Sequence, residues 1–388
     1  MRLFEIKYNT FRPLMEGARI DHAEDIVFWE GSAGAMRALE AIKSLEQGGH
    51  QETTVKWDGS PAIIFGRDDE GNFVLTDKSG FGAKGYDGKA KSAEHLENML
   101  KARPGYQKDP EGYGQFVTSM VDIYDEYEKA VPRDYRGFFK GDLLYFNRPE
   151  LIDGNFVFTP NIVTYSVDAK SDLGKRIAQS KTGIVIHREV NAEGVEGPMQ
   201  NANIFKGNEV LVFPTITVER PAQIDDSKIR ELEGIIKQNA QGIDELLNPE
   251  TLKANQMTDF SKILYAYTNS KVDTGLQNLG GDFAKWLENN SKISDRKKAK
   301  ILEYIKQHMT AWTALWTTVS SIMLVKDDII RQFDSHDSVV KQEIGSHGPV
   351  RSDAHGQGGE GYVLAHPGGD IKLVPREFFT KANRSVER

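Results

Sequence analysis

The segment Lys56-Trp57-Asp58-Gly59-Ser60-Pro61 sets a primary amine two residues ahead of a carboxylate at an Asp-Gly turn. A lysine placed so is a candidate nucleophile, because its amine can take up an electrophilic group covalently. Free lysine titrates near pH 10.4, so little of it is neutral at pH 7; a nearby cation and partial burial raise the reactive fraction. The same six residues also make an ordinary hairpin turn, for which Asp-Gly is a favoured pair. Thr53-Thr54-Val55 before the turn and Ala62-Ile63-Ile64-Phe65 after it are β-branched and apolar and read as strands.

Further blocks follow in order: Phe139-Lys140-Gly141-Asp142-Leu143-Leu144-Tyr145, Val163-Thr164-Tyr165-Ser166-Val167-Asp168, Gly359-Glu360-Gly361-Tyr362-Val363-Leu364 and Asp370-Ile371-Lys372-Leu373-Val374. The set resembles the covalent nucleotidyltransferase superfamily of ATP-dependent DNA and RNA ligases and capping enzymes, and Lys-x-Asp-Gly-Ser looks most like its phage-type RNA ligase branch. The resemblance implies an α+β fold with ATP-grasp-like antiparallel sheets. It implies that Lys56 takes AMP from ATP, that AMP passes to a 5′-phosphate end, and that a 3′-hydroxyl then displaces AMP.

By the same resemblance Lys372 touches the α-phosphate, Glu360 binds Mg²⁺ (or Mn²⁺), and Asp142 contacts ribose or metal where the family usually has glutamate. Most members carry Lys-x-Lys in the last block; here the second lysine is missing, which shifts that role toward Arg376 or Lys381. Asp58 and Gly59 shape the turn, Gly59 letting the backbone approach ribose, and Val55 offers its main chain to the base edge. Tyr165 is either the purine-stacking aromatic or a core strand tyrosine. Of Arg67 and Lys78, Lys78 is favoured as the basic residue near the phosphates. Glu360-Gly361 taken alone is a turn leading into a strand.

These residues need elements to hold them. A strand is expected at Leu3 to Tyr8 and a helix from Ser32, its N-cap, to Leu45, ended by Gly48-Gly49. Phe73 to Thr76 returns after a turn at Asp68 to Asn72, and helices are expected at Ala93 to Lys101 and Gln115 to Ala130. Strands resume at Gly137 to Tyr145, Phe156 to Val167, Gly183 to His187 and Val210 to Val218. From Asp225 to Phe333 apolar residues recur every three or four positions, predicting four to six helices. The Met and Trp stripe between 309 and 323 reads as helix packing rather than base stacking. The expected division is a nucleotidyltransferase core over 1–224, an inserted all-α domain over 225–335, and a linker with return to the core over 336–388.

Composition narrows the function classes. The 388 residues carry a net charge of −8 and no cysteine, which excludes disulfides and thiolate metal sites. No stretch approaches the roughly 18 to 20 apolar residues of a membrane helix. The N-terminus lacks a signal peptide's apolar core, so a cytoplasmic protein without a membrane partner is expected. A nucleic-acid enzyme of this charge must concentrate its cations locally. Lys78 to Lys91 and Lys292 to Lys300 do so, although each also reads as a solvated face. The Gly80–Gly85 loop fails as a P-loop, because Tyr86 and Asp87 stand where Lys and Ser/Thr are needed. No histidine has zinc-site spacing, and His187 reads as structural.

The expected function is an ATP-dependent polynucleotide ligase of nucleic acid repair, with RNA ends preferred over DNA. Only 16 residues follow Lys372, too few for the OB-fold domain of DNA ligases and capping enzymes. The alternatives are lysine nucleotidylation with another acceptor, and a degenerate binder of nucleotides or nucleic-acid ends.

Overall fold

In the computed structural model, residues 20–82, 90–191, 195–197, 199, 201–271, 276, 278–335, 340–344, 359–367 and 369–376 are described. The expected strand at Leu3 to Tyr8, Lys84, Lys89, His347, His355, Lys381 and nearly all of the expected linker lie outside them. The protein is α+β. Its strands are β1 (Asp21–His22), β2 (Thr53–Val55), β3 (Ala62–Arg67), β4 (Phe73–Asp77), β5 (Gly137–Tyr145), β6 (Glu150–Ile152) and β7 (Asn155–Phe158). They continue with β8 (Val163–Asp168), β9 (Thr182–Val190), β10 (Glu196–Gly197), β11 (Val210–Val212), β12 (Val340–Ile344), β13 (Tyr362–Leu364) and β14 (Ile371–Leu373).

The chain divides into two compact units, and the boundary falls between Lys56 and Trp57. Among the described residues, the first unit takes in Trp57–Pro214 and 340–344; the second takes in Ile20–Lys56, 215–335 and 359–376. The helices of 226–335 therefore share a unit with the strands that carry Lys56, Glu360 and Lys372, whereas Asp142 and Tyr165 belong to the other unit.

The first unit holds two sheets. The larger runs β10-β9-β5-β3-β4, with β11 parallel to β9; the smaller runs β12-β8-β7-β6. Ile63, Phe65, Phe139, Leu143 and Ile184 on one face of the larger sheet pack against Leu96, Leu100, Val117, Met120 and Tyr127 from the helices of 93–130. Alternation along β5 sends Lys140 and Asp142 to the other, half-buried face. The strand expected at Phe156 to Val167 is two, β7 and β8, because Pro160 and its neighbours make the connection. The strand expected at Val210 to Val218 stops at Val212, two residues before Pro214.

The second unit holds one sheet, β1-β14-β13-β2, and the helices. β2, β13 and β14 each read buried, half-buried, buried. Val55, Tyr362, Leu364, Ile371 and Leu373 join a core with Ile26, Leu39, Ile236, Val319 and Ile330. Six helices lie in the described part of 226–335, and Trp312, Trp316 and Met323 are buried among them as packing. The first helix starts at Ile26, earlier than expected, but Gly31 breaks it at φ +63°. Ser32 then begins the second segment, and its N–H and hydroxyl both bind Asp244.

Candidate active site

In the second unit, three strands bring the expected groups together. Tyr362 pairs with Val55 and with Leu373; Val363 pairs with Thr54 and with Lys372; Lys372 pairs with His22. Paired residues share a face, so Thr54, Val363, Lys372 and His22 lie in one row across the half-buried face. Lys56 stands two positions past Thr54, and its N–H extends the ladder to the Gly361 carbonyl at 3.0 Å. Its Nζ forms an ion pair with Glu360 Oε1; the lysine side chain is 27% exposed and the glutamate 2%.

Gly361 is required by its backbone. Its φ is +105°, and a Cβ there would stand 2.3 Å from the Leu373 carbonyl oxygen. Glycine thus lets β13 cross close to β14 directly after Glu360 and turns that carboxylate toward Lys56.

His22 measures the charge of this corner. Its imidazole is held well below the ordinary histidine range, first by burial and then by Arg376, Lys326, Lys372 and Lys56. Nδ1 is buried and has no hydrogen-bond partner among the described residues. The imidazole is therefore neutral, in a corner where Lys326, Arg376 and Lys56 are each paired with a carboxylate. Sequence reasoning missed His22; only its place beside Lys372 in a parallel pairing reveals it.

Two expected roles are corrected here. Val55 cannot offer its N–H to a base edge, because that group donates to the Ile216 carbonyl at 2.8 Å. Arg376 cannot replace the missing second lysine. It is 1% exposed and bound to Asp25 at 2.6 Å, to Glu24 at 3.3 Å and to Asn269.

In the first unit, the residues after Lys56 are pinned. Trp57 is buried against Tyr165 and Phe213, with ring centroids 4.9 and 5.0 Å away. The Asp58 N–H donates to the Tyr165 hydroxyl at 2.6 Å, and Asn161 donates to Asp58 Oδ2 at 2.9 Å. The Ser60–Pro61 bond is cis. The Ser60 N–H donates to the Leu143 carbonyl at 2.9 Å, and the Leu143 N–H to the Pro61 carbonyl at 3.1 Å. A Cβ on Gly59 would stand 2.7 Å from both Asp142 Cβ and the Leu143 oxygen. The close approach that glycine permits here is to β5, where ribose was expected.

Tyr165 has the packing role of the two weighed. It is 0% exposed, its ring lies between Trp57 and Phe158, and burial pushes its hydroxyl far up. Its hydroxyl holds the turn instead of its ring holding a base. Arg67 is structural too, donating to the carbonyls of Gly71, Glu128, Val131 and Pro132. Lys78 is exposed at the start of the short helix Lys78–Gly82. Lys91 pairs with Asp68 at 3.0 Å. In the second cluster Lys297 pairs with Asp259, Lys298 with Asp295 and Lys300 with Gln256, which makes it a solvated helix face.

Asp142 Oδ2 lies 2.9 Å from His187 Nε2. His187, expected to be structural, stands on the exposed side because the β5–β9 register shifts between Lys140 and Gly141 and leaves it as an extra residue. No group of three or more His, Asp or Glu that could hold a metal occurs among the described residues. That still fits Mg²⁺, which is commonly bound through one or two carboxylates with substrate phosphates supplying the rest. Glu360, buried and oxygen-donating, is the residue that fits.

A family model described as "Family of unknown function (DUF6267)" matches residues 18–388, and the chain belongs to that family. No curated protein and no solved structure matches it. No helix among the described residues is long and apolar enough to cross a membrane.

Proposed function

We propose that this DUF6267 protein is an ATP-dependent polynucleotide ligase of the covalent nucleotidyltransferase type, that its strand ends are RNA in preference to DNA, and that its sheets are those of a ligase-type fold. The observation that carries the reading is the juxtaposition of Lys56 and Glu360, with Lys372 and His22 in the adjoining row of the same sheet. The blocks of Glu360 and Lys372 come back to the block of Lys56 from about 300 residues further along the chain.

Lys56 Nζ attacks the α-phosphorus of ATP, forming a P–N bond while the P–O bond to pyrophosphate breaks. Nζ attacks in its neutral form, its protons passing to solvent once the Glu360 carboxylate, which favours the charged form, is drawn elsewhere. Mg²⁺ held through Glu360 would supply charge to neutralise the substrate's phosphates. Lys372, half-buried one strand pairing away from His22, offers a fixed positive charge to the α-phosphate as pyrophosphate departs. The Lys56 N–H bond to the Gly361 carbonyl fixes the lysine's backbone on its own sheet during attack. AMP then passes from Lys56 to a 5′-phosphate, and a 3′-hydroxyl displaces it to seal the strand.

The test is incubation with α-labelled ATP and Mg²⁺ followed by a denaturing gel. A labelled band that pyrophosphate removes, and that 5′-phosphorylated RNA discharges, is the expected result. Label discharged by a protein or small molecule would give the alternative acceptor. Absence of any label in the wild-type protein would leave only nucleotide or end binding.

A further inference from the structure

We propose that His22 receives the pyrophosphate end of ATP, donating an Nε2–H hydrogen bond to an oxygen of the β- or γ-phosphate while Lys56 attacks the α-phosphorus; this rests on the ligase reading above. The role is the one left open by the missing second lysine of the last block, which Arg376 cannot fill.

The sheet sets the direction. Lys56 projects from the half-buried face two positions past Thr54; on that same face Lys372 stands two strands away on β14, and His22 one strand further on β1. Neighbouring strands lie about 4.8 Å apart, so Lys372 is about 10 Å and His22 about 14 Å across the sheet from β2. In-line displacement puts the leaving group on the far side of the α-phosphorus from the attacking amine. With Nζ at one end, pyrophosphate points along the row toward Lys372 and then His22. Lys56, Glu360, Lys372 and His22 all belong to the second unit.

The imidazole suits that place. Three of the cations near it, Lys326, Arg376 and Lys56, have carboxylate partners. The fourth, Lys372, forms no ion pair among the described residues. His22 Nδ1 is buried without a hydrogen-bond partner. A buried N–H with no acceptor is rarer than a buried acceptor left unfilled, so the proton is assigned to Nε2. A neutral donor beside Lys372 adds a directed hydrogen bond without a further charge, and so orients pyrophosphate yet lets it leave. His22 keeps its proton throughout: the P–N bond forms, the P–O bond breaks, and pyrophosphate carries away the electron pair.

The measurement is the reverse reaction. Adenylylated protein, prepared at saturating ATP, is given pyrophosphate and Mg²⁺ over a concentration series, and the ATP formed is counted. A second portion is discharged with 5′-phosphorylated RNA. His22→Leu should raise the KM for pyrophosphate about tenfold, in keeping with the loss of one hydrogen bond to a charged group. Transfer of AMP to RNA, in which pyrophosphate takes no part, should keep the wild-type rate. His22→Gln retains a side-chain N–H and should restore most of the pyrophosphate affinity. An unchanged KM in folded His22→Leu overturns the proposal, as does an equal loss in both reactions, which a structural role would give. If His22→Leu does not fold, the wild-type imidazole is followed by nitrogen NMR, assigned through His22→Gln. Pyrophosphate should shift the His22 Nε2 signal of the adenylylated protein, and an unmoved signal overturns the proposal. A wild-type protein that never takes up AMP overturns the ligase reading as well, whereas a normal adduct with an indifferent His22 overturns this proposal alone.

Discussion

The second unit contains two cation–carboxylate assemblies built from the same kinds of residue and put to opposite uses. In one, Lys326 holds both Glu24 oxygens at 2.9 Å, and Arg376 holds Glu24, Asp25 and Asn269; these four charged residues are at most 1% exposed. In the other, Lys56 meets Glu360 with its side chain still partly open to solvent. Every cation of the first has its donors committed to partners fixed by packing. Lys56 stands at the end of a strand, ahead of a pinned turn, where the charged amine can exchange one partner for another. Full burial makes the first assembly structural, and the partial exposure of Lys56 is why the second is the one proposed for chemistry.

Substitutions can break that contrast. Lys56→Ala should abolish lysyl-AMP formation, a loss greater than about a thousandfold, while the protein stays folded; gel labelling against a melting curve separates the two effects. Lys326→Ala should do the reverse, lowering stability by about 3–5 kcal/mol in chemical denaturation because it strands a buried carboxylate. Labelling per folded molecule should survive it. Gly361→Ala should injure both assays, with a strain cost of about 1–3 kcal/mol and a drop in labelling as Glu360 moves.

Asp25 sharpens the contrast through pH. Burial above all, with the charge of Glu24 adding and Arg376 opposing, pushes its carboxyl up to about 6. A folded-state value above the unfolded one means the native protein holds the extra proton between about pH 4 and 6. Its contribution to stability is therefore present below that window and lost as pH rises through 6. Asp25→Asn should accordingly gain on the wild type by about 1–3 kcal/mol between pH 4.5 and 7, measured as the difference between their denaturation curves. The smallest effect is expected from Tyr165→Phe. Loss of the hydroxyl that accepts the Asp58 N–H should cost about 1 kcal/mol and slow labelling modestly; were the ring a base platform, Phe would label normally.

Much of this was legible in the chain, and the gaps have physical reasons. β2 to β5 and the helices of 226–335 announce themselves through local periodicity, which depends only on neighbours in sequence. The Glu360-Gly361 pair was legible as a turn leading into a strand, and its glycine proves to be set by φ and by the Leu373 carbonyl. What stayed hidden depends on pairings between distant segments. β1 pairs with β14 across 350 positions of chain, so the row that puts His22 beside Lys372 has no local trace. His187 is exposed by a register shift that only the β5–β9 pairing creates. Tyr165 and Arg376 carry the residue types of ligand contacts, yet burial and saturated partners assign them to the scaffold.

The most direct test is intact-mass analysis of the wild-type protein after exposure to ATP and Mg²⁺, followed by peptide mapping of any adduct. A gain of one adenylyl group, carried on Lys56 and erased by added pyrophosphate, is the result predicted. An adduct mapped to Lys372 or another lysine, or no gain in mass at all, would contradict it.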